Sequence, residues 1–166
     1  FYGRIHMVRI ITDSASDLLP AAAEAMGISV VPLAVQFGDT AYLDGQTIDS
    51  ATFYDLLKTS SENPTTSQPT PNAFLHHFQQ AKEAGDQVVA IVLSSALSGT
   101  YQSATIAKDL CDYDSIYIVD SLSATSGIQL LLHHACAHHF HPAEKAPAGM
   151  DAAAGQRKKT ERRYAV

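Results

Sequence analysis

Short unbroken runs of β-branched and aliphatic residues alternate along this chain with stretches whose apolar positions recur every three or four residues, a pattern that predicts strands and helices in turn. Val8 to Thr12 reads as a first buried strand. Pro20 then stands at a first helical position, Ala21 to Met26 continue a short helix, and Gly27 ends it. Ser29 to Phe37, rich in valine, reads as one second strand closed by Gly38-Asp39. Asp44-Gly45 marks a turn, and Ser50 is the expected cap of a helix with Phe53, Leu56 and Leu57 on one face. Ser60 to Thr70 is polar, lacks periodicity and reads as a loop. Thr70-Pro71 opens a further helix carrying Phe74, Phe78 and Ala81, with Gly85 past its end. Val88 to Leu93 is a third strand, Ser115 to Val119 a fourth, and Gly127 to Ala137 a last helix. This alternation predicts an α/β fold: a mostly parallel sheet flanked by helices on both faces, Rossmann-like and three-layered.

Sheets of this kind receive ligands beyond the carboxyl ends of their strands, which singles out three loops. The most informative is Leu93 to Ala104, LSSALSGTYQSA, where a buried strand empties through a hydroxyl-rich loop into a helix that continues through Ala107 and Cys111. A helix start leaves amide N–H groups without intrahelical partners and carries the positive end of the helix dipole. With donors from Ser94, Ser95, Ser98 and Thr100 beside it, the segment suits an anion. Gly99 is expected to permit close backbone approach or a positive φ. A plainer reading keeps Ser98 as a helix cap and the other hydroxyls as loop decoration. The other two loops, Thr12-Asp13-Ser14 and Val119-Asp120-Ser121, carry carboxylates that would repel an anion. Their expected role is to cap helices and hold neighbouring loops by accepting backbone N–H bonds.

Composition narrows the function classes. The chain has 166 residues and is 46% apolar, as expected for one globular domain with a sizeable core. No apolar run approaches the roughly 20 residues of a membrane span, so a soluble protein is expected. The net charge of −6 argues against nucleic acid as the main partner. Six of the eleven Lys and Arg (Lys145, Arg157, Lys158, Lys159, Arg162, Arg163) fall in the last stretch, leaving the preceding region distinctly acidic. Cys111 and Cys136, each on a predicted helix, suggest reduced thiols and a cytoplasmic setting. Residues 1–6 read as a cloning remnant before a native start at Met7. Residues 138–166, a mixture of His, Ala, Pro, Gly and basic residues, read as a degenerate or frameshifted tail that packs poorly.

Several segments taken together point to one family. IITDSASDL, VVPLAVQFGD, YLDG, PTTSQPTP, LSSALSGTYQSA and the late VDS resemble, in this order, the DegV family of bacterial fatty-acid-binding proteins over roughly Val8 to Leu132. The resemblance implies the first of two α/β domains (the EDD fold), spanning residues 7–137, with the family's second domain absent. It implies one long-chain fatty acid as ligand, a separate fatty-acid kinase as partner, and no catalytic residue, cofactor or metal. Carried over position by position, the carboxylate would be met by Thr66 and Ser67 and by Ser95 with Ser94. Gly99, Thr100, Asp13 and Ser14 would support the loops. With half the ligand's enclosure missing, weak binding is expected.

Three rival readings fit less well. A phosphate- or nucleotide-binding module could use the same loop, but GxGxxG and a P-loop lysine are absent and no Lys or Arg lies between Leu93 and Ala107. A serine hydrolase with Ser95 as nucleophile lacks the glycines of G-x-S-x-G, and no histidine follows with an obvious role. His134, His138 and His141 beside Cys136 have a spacing that could suit zinc, but Pro142 interrupts the segment and solvent-facing histidines are the expected reading.

Overall fold

A computed structural model describes residues 7–139. Four parallel strands form its central sheet: β1 (Val8–Asp13), β2 (Ile28–Val31), β6 (Gln87–Val92) and β7 (Ile116–Asp120), in the order β2-β1-β6-β7. The runs are unbroken because neighbouring side chains leave a strand on opposite faces and here both faces are covered. On one face Ile11, Val88, Ala90, Val92 and Ile116 meet Phe74, Phe78 and Ala81 of α3 (Pro71–Ala84) and Ala104, Ala107 and Cys111 of α4 (Thr100–Cys111). On the other, Ile10, Ile28, Ile91 and Leu93 meet Ile128, Leu132 and Cys136 of α5 (Ser126–His139), with Met26 of α1 (Pro20–Met26) packed against them. The α/β architecture with a mostly parallel sheet between helices is therefore as the sequence predicts. Among the described residues, no helix is long and apolar enough to cross a membrane.

Several expectations are corrected. Ser29 to Phe37 is not one strand. It breaks at Pro32-Leu33 into β2 and β3 (Ala34–Phe37), which belong to different sheets. Pro32 has no N–H to give a ladder, and the Leu33 amide turns aside to donate to the Ser14 hydroxyl at 3.0 Å. A second sheet, unforeseen, is antiparallel in the order β4-β3-β5, with β4 at Thr40–Leu43 and β5 at Thr65–Ser67. The segment read as a featureless loop thus contains β5. Its three residues are all exposed, so it has no apolar alternation to betray it. Helix α2 (Ser50–Thr59) covers the small sheet, its Phe53 and Leu56 packing on Val35, Phe37 and Ile48. The cap of α2 is Asp49 rather than Ser50, accepting from the Thr52 amide at 2.8 Å. Thr70 precedes α3 in extended backbone but makes no side-chain cap bond.

Candidate functional site

Because β1, β6 and β7 run parallel and adjacent, the loops that follow them emerge at one edge of the central sheet. Two aspartates tie these loops together. Asp13 is fully buried and accepts from the Leu93 amide at 2.7 Å and the Ala15 amide at 2.9 Å, bridging the ends of β1 and β6. Burial pushes its carboxyl above the ordinary range, against the pull of the two amides. Asp120, at the end of β7, accepts from the Ser95 hydroxyl and, through Oδ1, from the amides of Ser95 at 3.1 Å and Leu122 at 3.0 Å. The Ser95 hydroxyl and these amides hold its carboxyl below the ordinary range. Ser14 serves neither loop directly, its hydroxyl being taken by Leu33.

The loop after β6 with the start of α4, residues 93–104 and hereafter the signature loop, is internally braced. The buried Ser94 accepts at its hydroxyl from the Ala96 amide at 3.3 Å, and its carbonyl accepts from the amides of Leu97 and Ser98. Its own amide donates to the Ser123 carbonyl at 3.0 Å, fastening the loop to the one after β7. Ser98 accepts at Oγ from the Thr100 amide, and the two hydroxyls lie 2.9 Å apart. The first amide to bond back into α4 is that of Ser103, to Gly99. The amides of Tyr101 and Gln102 therefore have no acceptor within the helix. The helix-start amides without intrahelical partners that the sequence predicts are thus present.

Gly99 is needed for a different reason than positive φ. Its φ is −76°. The space a Cβ would take is filled by the Gln68 amide, whose Oε1 lies 2.2 Å from the ideal Cβ position. Gln68 also donates to the Ser103 hydroxyl at 3.3 Å. Gly99→Ala should accordingly dislodge Gln68. Since a flexible side chain can swing away, chemical denaturation should register a loss of only about 1 kcal/mol, one hydrogen bond's worth. Gln68 sits inside PTTSQPTP, but a contact with a residue 35 positions away leaves no local signal in the sequence.

Thr66 and Ser67 lie on β5, opposite Val35 and Ala34 of β3. Adjacent strand residues project to opposite faces, so their two side chains cannot reach one ligand from the same side. Gln68, next in the chain, is the residue that touches the first turn of α4. Ser95 has a carboxylate, not an imidazole, as its hydroxyl partner. The rings of His134 and His138 meet edge to face at 4.3 Å, while His141 lies outside the described residues. Among the described residues, no three His, Cys, Asp or Glu cluster as a metal site would require. A cavity of about 610 Å³, with none of residues 93–104 in its lining, lies between α1 and the turn before α2, walled by Leu18, Leu19, Ile28 and Tyr54 with Asp17 and Asp44.

Comparison with known proteins places the chain among similar sequences and folds. Residues 7–145 match the family model described as "Uncharacterised protein, DegV family". A DegV domain-containing protein of Caldanaerobacter subterraneus subsp. tengcongensis is 40% identical over 125 residues, covering 75% of this chain and 44% of that protein. A fat acid (stearic acid)-binding protein from Eubacterium ventriosum superposes with a TM-score of 0.73 at 33% identity, covering 79% of this chain and 47% of its own. The Streptococcus pneumoniae Fatty Acid Kinase (Fak) B3 protein, loaded with linoleic acid, superposes at 0.65 with 28% identity, covering 77% of this chain and 46% of its own. The chain spans less than half the length of each of these relatives.

Proposed function

This chain belongs to the DegV family, and from that membership we propose that it binds a long-chain fatty acid, without catalysing a reaction, and presents it to a separate fatty-acid kinase. The observation that carries this reading is the start of α4. Two first-turn amides without helical acceptors follow Ser94 and Ser95 in the segment that leaves β6 at the edge where β1, β6 and β7 end. A carboxylate needs a few fixed donors and no full countercharge, whereas a phosphate calls for cations that residues 93–107 lack. On this reading the carboxylate is met by the Ser95 hydroxyl, Ser94 and the α4 amides, with Thr66 of β5 contributing from the small sheet. Thr66 is preferred to Ser67 because it lies two positions before Gln68, which contacts α4. Gly99, Thr100 and Asp13 hold the loop, and Ser14 fixes the turn at Leu33.

Titration with a fluorescent fatty acid tests the site. Ser95→Ala should weaken binding by about 1 to 3 kcal/mol, the loss of a hydrogen bond to a charged acceptor, while urea denaturation changes far less. Saturable binding that survives Ser95→Ala would move the lipid elsewhere and remove the headgroup role from the signature loop.

A further inference from the structure

We propose that Asp120 governs headgroup selection at the signature loop, by holding the Ser95 hydroxyl proton that an anionic headgroup must take over. The inference rests on the carboxylate-binding reading above. A serine hydroxyl has one proton to donate, and here it is directed at Asp120 Oδ2. The same carboxylate takes the Ser95 amide at 3.1 Å, so both donors of the residue face Asp120. A fatty-acid carboxylate arriving at the start of α4 therefore competes with a carboxylate already in place. It also meets that group's negative charge, with no Lys or Arg in residues 93–107 to offset it. A neutral headgroup meets no such opposition, since it can donate to a Ser95 Oγ lone pair while the Asp120 bond persists.

The competing occupant is therefore native to the fold. Asp120 has its own loop partners besides Ser95: the Leu122 amide shares its Oδ1 at 3.0 Å. Binding of an anion exchanges one acceptor for another at the Ser95 hydroxyl, and Asp120 keeps Leu122 after letting go. In Asp120→Asn the side-chain oxygen can still accept from the Ser95 and Leu122 amides, so the loop retains its ties. The side-chain NH₂ then donates to Ser95 Oγ, which turns the hydroxyl proton outward, and the repelling charge is gone.

Competition of palmitate and of hexadecanol against a fluorescent fatty acid separates this role from loop bracing. Asp120→Asn should bind palmitate about tenfold more tightly, a change of about 1.4 kcal/mol, and leave hexadecanol unchanged. Loss of affinity for both ligands together, or an unaltered palmitate-to-hexadecanol ratio, would reduce Asp120 to a loop tie and overturn the proposal. The wild type supplies a second measurement free of folding effects. Saturating palmitate should raise the pH at which the Asp120 carboxyl carbon titrates by NMR, because the Ser95 bond is lost and a like charge gained; an unmoved titration refutes the exchange. The underlying reading fails separately, and with it the proposal, if Ser95→Ala leaves palmitate binding intact or if neither wild type nor Asp120→Asn binds palmitate saturably.

Discussion

Phe78→Ala is expected to destabilise the fold by about 4 kcal/mol, the middle of the range for removing a buried aromatic. Phe78 is fully buried on α3, its ring 6.1 Å from that of Phe74, in the layer between the central sheet and the α3-α4 pair. The cost is high because the site collapses poorly. Several neighbours in the cluster are Ala81, Ala90, Ala104 and Ala107, none of which has a side chain long enough to swing into the hole. Urea denaturation at neutral pH measures the effect. A loss below about 2 kcal/mol would mean that the helices close over the cavity, contrary to the packing described. Because α4 leans on this layer, the variant should also loosen the start of α4 and raise amide exchange there.

Asp13→Asn is the second large effect, at about 3 kcal/mol. Asp13 presents one oxygen to each of two amides, Leu93 and Ala15. In Asp13→Asn only one oxygen remains, and the side-chain NH₂ must face a backbone N–H, leaving the donor from Leu93 or Ala15 unsatisfied. The substitution also alters the pH dependence. Burial raises the Asp13 carboxyl above its ordinary value of 3.8, so the folded state holds this proton longer than the unfolded chain does. The stability linked to that proton is fully present below pH 3.8, declines as pH rises through the raised folded value, and is level above it. The stability gap between wild type and Asp13→Asn should therefore be widest in acid and narrow through that window. A gap independent of pH would show that Asp13 titrates alike in both states.

The elements legible in the sequence were those that bury a face. β1, β6, α3 and α5 each stand within a residue or two of where their apolar patterns predict them, and α4 carries the predicted Ala104, Ala107 and Cys111, because every one contributes side chains to the two main core clusters. The strand-loop-helix setting of residues 93–104 was legible for a related reason: the segment lies between a buried run and a helical one. Two misses had local signals that were outweighed. Pro32 lay inside the run read as a single strand, and Asp49 stood three residues before the amide it caps. β5 had no such signal, since its exposed residues are held to β3 by backbone bonds to which side chains contribute nothing visible in sequence.

By itself, then, the sequence determined the alternating elements, the parallel sheet they build, the family resemblance and the strand-to-helix position of the hydroxyl-rich loop after β6. These follow from periodicity and from residue chemistry within a few positions of one another. Only the tertiary structure decided which groups face each other across that edge: Asp13 with Leu93, Gln68 in the space beside Gly99, and Asp120 with the Ser95 hydroxyl. Each of these pairs joins loops 25 to 80 residues apart in the chain, or fills a gap that exists only once two sheets have come together. Long-range hydrogen bonds have no periodic trace, because a partner is chosen by where the packed core delivers it and not by its distance along the sequence.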